Sequence, residues 1–280
     1  MVSLPQELVD IILVNLGLYV HHEPAGFALR SCLLVSAAFA ASSRRHLFRS
    51  VEINGARHPD IFSRAKALKD IISPNSAASG DGVAQYIKEF TIKLDEKQSR
   101  PDGLRWLLAD ILDNLHNESY GIDELTLHGI QSNYGINHGN VGISWSGLGS
   151  YFNSAFVALC QSPRLRKLKI TGIFCIPPTL FDGTFINGLH LSYITFSYAD
   201  LLGGPRLPRP QLDLLETNSV CPNIIDNLVA DPSFVSHIRD LRFLAGHDTP
   251  QANTRHRHRL IAMSGKVIKH LCVTIASCTP

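Results

Sequence analysis

The sequence carries little net charge, and its positive charges are not concentrated in one segment. Its 280 residues include 26 Lys and Arg against 24 Asp and Glu, which gives a formal charge of +2 at pH 7. A balance so close to zero supplies no field that would by itself hold nucleic acid or an anionic membrane surface. We therefore expect another protein as the partner, and neither nucleic acid nor a membrane.

The sequence also lacks a paired-cysteine motif and a long apolar run. Its six cysteines are dispersed without a C-x-x-C pair, and we interpret them as buried thiols of a reduced compartment. The most apolar early stretch, residues 8–20, is interrupted by Asp10 and Asn15, and no basic region precedes it. It fits neither a membrane-spanning helix nor a signal peptide. These features predict a cytoplasmic or nuclear protein.

Motifs that carry catalysis or bind metal are missing. The sequence contains no G-x-x-x-x-G-K-[ST], no G-x-S-x-G, no H-E-x-x-H and no Cys/His spacing suited to zinc. The nearest candidate for a metal or phosphate site is R-H-R-H-R at residues 255–259, where arginines would repel a divalent cation. We interpret that segment as a solvated loop or helix start. The prediction is a protein that is not an enzyme and binds neither metal nor cofactor.

The first fifty residues predict a small helical module with surplus apolar surface. Pro5 suits the first turn of a helix, and Leu8, Ile11, Ile12 and Leu16 follow helical spacing. Further apolar residues surround nearly the whole circumference of this helix. A second apolar segment covers residues 29–40 and a third covers residues 47–51. Three such short helices have too little core to cover every side, and exposed apolar patches of this kind usually mark a protein interface.

Three motifs in this module resemble an F-box. They are L-P-x-E-L-x-x-I-I at residues 4–12, L-x-x-C-x-x-V-S-x-x-F at residues 29–39 and L-F-R-S-V at residues 47–51. The resemblance implies docking onto the Skp-type linker protein of a cullin-RING ubiquitin ligase. Phe39 stands where the family commonly carries Trp, and residues 17–28 predict a longer first connection than usual. The linker-binding residues that the resemblance implies are Leu4, Pro5, Leu8, Ile11, Ile12, Leu16, Leu29, Val35, Phe39, Leu47 and Phe48.

The rest of the chain repeats an apolar-x-x-apolar-x-apolar pattern. The pattern starts at Ile87, Ile122, Leu165, Ile186, Ile238 and Ile268, with a weaker copy at residues 212–215. Each copy predicts a short strand with one buried face and resembles the strand segment of a leucine-rich repeat. Helical segments are predicted between the copies at residues 61–72, 104–115, 151–161, 223–229 and 260–268.

Together these patterns predict an α+β or α/β solenoid, in which a three-helix F-box precedes an irregular leucine-rich-repeat array. We place the F-box at residues 1–53, a connecting helix and linker at 54–83, and the array at 84–280. The array is expected to bury Leu125, Leu168, Leu189, Leu241 and Leu271 in one continuous core. A strand-like segment just before the last residue indicates either a truncated array or a short final cap. In a different interpretation, the N-terminal apolar residues form only the hydrophobic end-cap of the array.

The predicted function is a substrate-recognition adaptor of a Skp-cullin-F-box ubiquitin ligase, with an unknown protein as substrate. Lys169, His190 and Arg242 alternate away from the predicted core and would contact substrate. Trp145 and Tyr134, in an insertion at residues 131–150, are candidate anchors, although Trp145 could equally fold back onto the array. The alternative function is a ligase-independent interaction scaffold with an F-box-like cap. Binding of a Skp-type linker distinguishes the two.

Overall fold

The computed structural model describes residues 5–19, 22–55, 60–73, 82–95, 102–130, 142–197, 208–218, 222–245, 258–265 and 267–275. Three helices come first: α1 (Gln6–Leu18), α2 (Glu23–Cys32) and α3 (Ala37–Leu47). They share a small core of their own, made by Val9, Leu13 and Leu29. The predicted N-terminal helical module is therefore confirmed.

The boundaries of these helices differ from the prediction. α2 begins at Glu23, with a proline in its first turn, so the connection after α1 is short and the predicted long connection at residues 17–28 is wrong. Proline is favoured there because the first turn leaves its N–H position unbonded in any case. The Ser36 side chain accepts a hydrogen bond from the Phe39 amide at 3.3 Å and starts α3 as a separate helix. The apolar pattern at residues 29–40 thus spans two helices.

After the helical module, eight strands form one parallel sheet. The strands are β1 (Ser50–Asn54), β2 (Glu89–Asp95), β3 (Glu124–Ile130), β5 (Lys167–Thr171), β7 (Gly188–Ser192), β8 (Leu214–Asn218), β9 (Asp240–Ala245) and β10 (His270–Ile275), and neighbours in the sheet follow chain order. Two short strands, β4 (Ile143–Ser144) and β6 (Ile173–Phe174), pair separately. β1 starts before the predicted boundary at residue 53 and pairs with β2, so the sheet begins inside the segment that resembles an F-box.

Helices pack against the sheet and share its core. They are α4 (Ile61–Ile72), α5 (Asp102–Asn114), α6 (Ser150–Cys160), α7 (Pro222–Val229), α8 (Pro232–Val235) and α9 at residues 258–264, with single 3-10 turns at Val83–Tyr86 (η1), Ser146–Leu148 (η2) and Pro178–Phe181 (η3). α4 contacts α5, and α5 contacts α6. The predicted helices at residues 61–72, 104–115, 151–161 and 223–229 are confirmed, and the helix predicted at 260–268 is observed at residues 258–264.

The predicted leucine-rich-repeat solenoid is wrong, because the structure is an α/β fold built on one parallel sheet. The strand segments themselves are confirmed, since every copy of the repeated pattern lies in or beside a strand of the sheet. The pattern reports a strand with one buried face, and it carries no information on whether the connections are equal units. They are not: β2 leads to β3 through the thirteen-residue α5, whereas β5 leads to β7 through β6 and η3.

The buried face of the sheet holds four of the five leucines that were predicted to form the core. Leu125, Leu168, Leu189 and Leu241 are fully buried. The prediction for Leu271 is wrong, because 50% of this residue is exposed. Among the described strands, β10 is the last of the sheet, so its side chains have a described neighbouring strand on one side only. The side chains at this edge of the sheet are therefore less completely buried than those at its centre.

The cysteines only partly match the expected buried thiols. Cys160 is buried, and this burial raises the pKa of its thiol well above the usual range. Cys32 is half-buried, whereas Cys175 and Cys272 are exposed, so the prediction is wrong for these two. Cys221 and Cys278 lie outside the described residues.

Candidate interaction surfaces

Helix α1 has apolar residues on both its inner and its outer face. Val9 and Leu13 are buried against α2 and α3. Leu8, Ile11 and Ile12 have spacing i, i+3 and i+4, which places them on one face of the helix, and they are 49%, 57% and 44% exposed. We call these three residues the outer face of α1. A helix that only sealed the small core would need no apolar residues on that face.

The linker-binding residues that were predicted divide into three groups. Pro5, Leu8, Ile11, Ile12 and Val35 are exposed, Leu16, Phe39, Leu47 and Phe48 are half-buried, and Leu29 is buried. The prediction for Leu29 is corrected, because a side chain with no exposed surface holds the three helices together and cannot contact a partner. Leu4 lies outside the described residues. The exposed members are concentrated on α1 and on the turn before α3.

Opposite its buried face, the sheet presents a polar face. Pairing registers place Thr126, Lys169, His190, Glu216 and Arg242 side by side on five adjacent strands. We call this line of residues the polar row. A shallow cavity of about 230 Å³ lies over the same strands, and Lys169, His190, Glu216 and Arg242 line it. The structure thus brings the three predicted substrate-binding residues of the sheet together on one surface.

Each of these three side chains is paired with a carboxylate. Lys169 Nζ lies 2.6 Å from Glu124 Oε1, His190 Nδ1 lies 3.2 Å from Glu216 Oε1, and Arg242 Nη2 lies 2.7 Å from Asp240 Oδ2. The hydrogen bond from Arg242 lowers the pKa of Asp240 and keeps that carboxylate ionised. The polar face therefore presents alternating charges of both signs, and it matches a partner with its own mixed charges better than a uniformly charged one.

His128 lies two residues after Thr126 in β3, on the same face of the sheet, and its surroundings favour the uncharged ring. Partial burial lowers the pKa of His128, and the nearby Lys93 charge lowers it further, against the opposing effect of Glu52. Lys93 Nζ also pairs with Glu52 at 2.9 Å. At neutral pH His128 is therefore a hydrogen-bonding group with one donor and one acceptor nitrogen and no charge.

Trp145 is not an exposed anchor. It is 7% exposed, and its ring stacks edge-to-face on Phe156 with a centroid distance of 5.5 Å. The Trp145 amide donates to the Phe174 carbonyl at 2.8 Å, next to the β4–β6 pair, and this pairing brings the residue into the core. The alternative that Trp145 folds back is confirmed. Tyr134 lies outside the described residues.

One polar site was not predicted from the sequence. A cleft of about 580 Å³ separates α1 and α3 from η1 and the residues that lead into β2, and Arg45, His46, Arg49 and Lys88 line it. The available signal was the R-R-H-x-x-R segment at residues 44–49. That segment does not reveal that Lys88, far along the chain, lies opposite it.

Among the residues that the structure describes, no group of three or more His, Cys, Asp or Glu side chains could hold a metal ion. None of the helices in these described ranges combines the length and the hydropathy that spanning a lipid bilayer requires. No protein-family model, curated protein or solved structure matches this chain.

Proposed function

We propose that this protein is a substrate-recognition adaptor of a Skp-cullin-F-box ubiquitin ligase. In this proposal the outer face of α1 docks onto a Skp-type linker protein, and the polar face of the sheet binds a protein substrate. The adaptor performs no chemistry itself. Its contribution is to hold the substrate close to the ligase, which raises the effective concentration of the substrate.

The observation that carries the proposal is the exposed outer face of α1. Full burial of a Leu or Ile side chain is worth about 1.5–3 kcal/mol, so the half-exposed Leu8, Ile11 and Ile12 have about 1 kcal/mol each still to gain on docking. The three residues belong to the motif at residues 4–12 that resembles an F-box. Surplus apolar surface and family-like sequence thus coincide on one helix.

Linker binding is tested with the full chain, in a pull-down and by calorimetry against a purified Skp-type linker. The variant Leu8→Asp/Ile12→Asp is expected to lose binding, because a carboxylate buried without a partner costs several kcal/mol. The matched control is Phe62→Asp/Ile71→Asp on α4, which changes two residues of similar exposure away from α1. The control is expected to bind normally.

Substrate binding by the polar face is tested with the variant Lys169→Ala/His190→Ala/Arg242→Ala. The three side chains lie on the open face, and the carboxylates that pair with them are partly exposed, so we expect the fold and linker binding to persist. Proteins that co-purify with the wild type are expected to be lost. A control triple variant, Arg30→Ala/Arg64→Ala/Lys66→Ala, removes three exposed cations elsewhere. An unchanged set of co-purifying proteins would move substrate binding away from this face.

If a Skp-type linker does not bind the wild type, the adaptor function fails. The outer face of α1 would then bind a protein other than a Skp-type linker, and the chain would act as a ligase-independent scaffold. In that outcome, Leu8→Asp/Ile12→Asp still removes a co-purifying partner, but that partner is not a linker.

A further inference from the structure

The cleft between the helical module and the sheet contains more positive than negative charge. Arg45 and Arg49 approach it from the end of α3 and just beyond, and Lys88 approaches it from the residue before β2. Asp10 is the one acidic residue among the lining residues. Among the described residues that line the cleft, three cations face this one carboxylate, and the volume of the cleft, about 580 Å³, lies within the usual range of small-molecule sites.

These cations are not neutralised by Asp10. The carboxylate of Asp10 accepts hydrogen bonds from Ser42 Oγ and from Gln6 Nε2, both at 2.9 Å. The Arg45 side chain makes no hydrogen bond or ion pair with any residue that the structure describes. Arg49 has one carboxylate nearby, Glu89, but the two atoms are 3.7 Å apart and both side chains are largely solvated. The two guanidinium groups therefore have donors available for a ligand.

His46 lies beside the arginines, and its ring packs closely against α1 at Gly17. A Cβ atom placed on Gly17 would lie only 2.3 Å from His46 Nδ1, so α1 approaches the ring at this point as only glycine allows. Burial lowers the pKa of His46, the Arg49 charge lowers it further, and Arg45 adds a smaller effect in the same direction against the opposing Asp10. The positive charges of both arginines therefore disfavour protonation of the His46 ring.

The dipole of α3 accounts for part of this charge but not for all of it. Basic residues in the last turn of a helix stabilise its negative end, which carries about half an elementary charge. Arg45 and His46 lie in the last turn of α3, so stabilisation of the helix end explains why they are basic. It does not explain Arg49 or Lys88, which lie beyond the helix and line the same cleft.

We propose that this cleft binds a phosphorylated small molecule through its phosphate group. Arg45 and Arg49 would donate charge-assisted hydrogen bonds to the phosphate oxygens, because the planar guanidinium fork matches that geometry. Lys88, whose Nζ also donates to the Gly121 carbonyl at 3.3 Å, adds a point charge, and Tyr86 and Gln85 line the same cleft as neutral donors. A phosphate group carries between about one and a half and two negative charges at neutral pH, which complements the positive charge of the cleft. The proposal does not depend on the linker-binding function of α1.

The experiment titrates the full-length protein with inorganic phosphate and with inorganic pyrophosphate, at low ionic strength in a phosphate-free buffer. Calorimetry measures affinity, and NMR follows the ring protons of His46 as a function of pH. The test variant is Arg45→Gln/Arg49→Gln. The matched control, Arg30→Gln/Arg64→Gln, removes the same number of charges from exposed arginines outside the cleft. Sodium acetate serves as the control anion.

Both probes are expected to bind the wild type and the control variant with a Kd of about 1 mM or tighter, and to bind the test variant at least about tenfold more weakly, which corresponds to about 1.4 kcal/mol. Saturation with phosphate is expected to raise the pKa of His46 in the wild type, since a nearby anion stabilises the imidazolium. Equal losses in the two variants, equal affinity for acetate, or a His46 signal unchanged at saturation would each overturn the site. If titration of the wild type to about 10 mM gives no heat of binding with phosphate and none with pyrophosphate, the proposed phosphate site is also overturned.

Discussion

Arg209 is buried in a hydrogen-bond network that a single substitution should disrupt. Its side chain is 2% exposed, and its Nε lies 3.1 Å from Oδ1 of Asp182, which is 7% exposed. The same guanidinium donates to the carbonyl oxygens of Asn227 and Pro178 and to the Asn227 side chain, over distances of 3.0–3.4 Å. It also lies 5.6 Å from the ring centroid of Phe234. Every side of the cation is therefore occupied.

The variant Arg209→Ala removes the cation and leaves the Asp182 carboxylate buried without its partner. Removing one member of a buried ion pair costs about 3–5 kcal/mol, chiefly because the remaining charge is uncompensated. Asp182→Asn/Arg209→Met removes both charges at similar volume, and we expect it to be much less destabilising than Arg209→Ala. The difference between the two variants isolates the cost of the orphaned carboxylate from the loss of packing.

The free energy of unfolding is measured by urea titration, followed by both fluorescence and circular dichroism to test whether the transitions coincide. Arg259→Ala serves as the control, because Arg259 pairs with Asp226 at 2.7 Å but both side chains are about half exposed. An exposed pair contributes at most about 1 kcal/mol. If Arg209→Ala costs no more than Arg259→Ala, the buried network does not stabilise the fold as argued.

Three further predictions concern the core, the histidines and one glycine. Leu241→Ala should lower the free energy of unfolding by about 2–5 kcal/mol, and Leu271→Ala by clearly less because half of Leu271 is exposed; equal losses in urea titrations would contradict the exposed edge. The folded state lowers the pKa of His46 and of His128, so the unfolded chain takes up protons more readily. Stability should therefore be constant above about pH 6.5, the ordinary histidine value, and fall as the pH falls below it; urea midpoints that rise on acidification would contradict this sign. Gly17→Ala should destabilise by about 1–3 kcal/mol through its clash with the His46 ring, and His46→Ala should relieve that cost in the double variant; additive effects would show that the contact is absent.

The sequence predicts the elements of this fold better than their assembly. The stripe of α5 and the alternation of the strands are local patterns, and both identify the correct segments. The assembly into one sheet depends on main-chain pairing between segments far apart, which side-chain alternation does not report. β1 shows the same limit: Val51 and Ile53 alternate as in a strand, but the F-box-like motif at residues 47–51 favoured a helical ending.

Sites that depend on distant residues were the least predictable. Arg209 follows a Gly- and Pro-rich segment that indicates a loop, and nothing local shows that Asp182 and Asn227 will surround it. Trp145 lies in an insertion rich in Gly, Asn and Ser, a composition that indicates exposure, yet the β4–β6 pair buries it. The polar row was predictable because alternation alone assigns Lys169, His190 and Arg242 to the face opposite the core.

Docking of the outer face of α1 onto a Skp-type linker protein is tested by calorimetry of the full chain against that linker. We expect saturable one-to-one binding by the wild type and by Phe62→Asp/Ile71→Asp, and no binding by Leu8→Asp/Ile12→Asp with an unchanged circular dichroism spectrum. A wild type that does not bind the linker, or a Leu8→Asp/Ile12→Asp variant that binds as tightly as the wild type, would show that this helix face is not a linker-docking site.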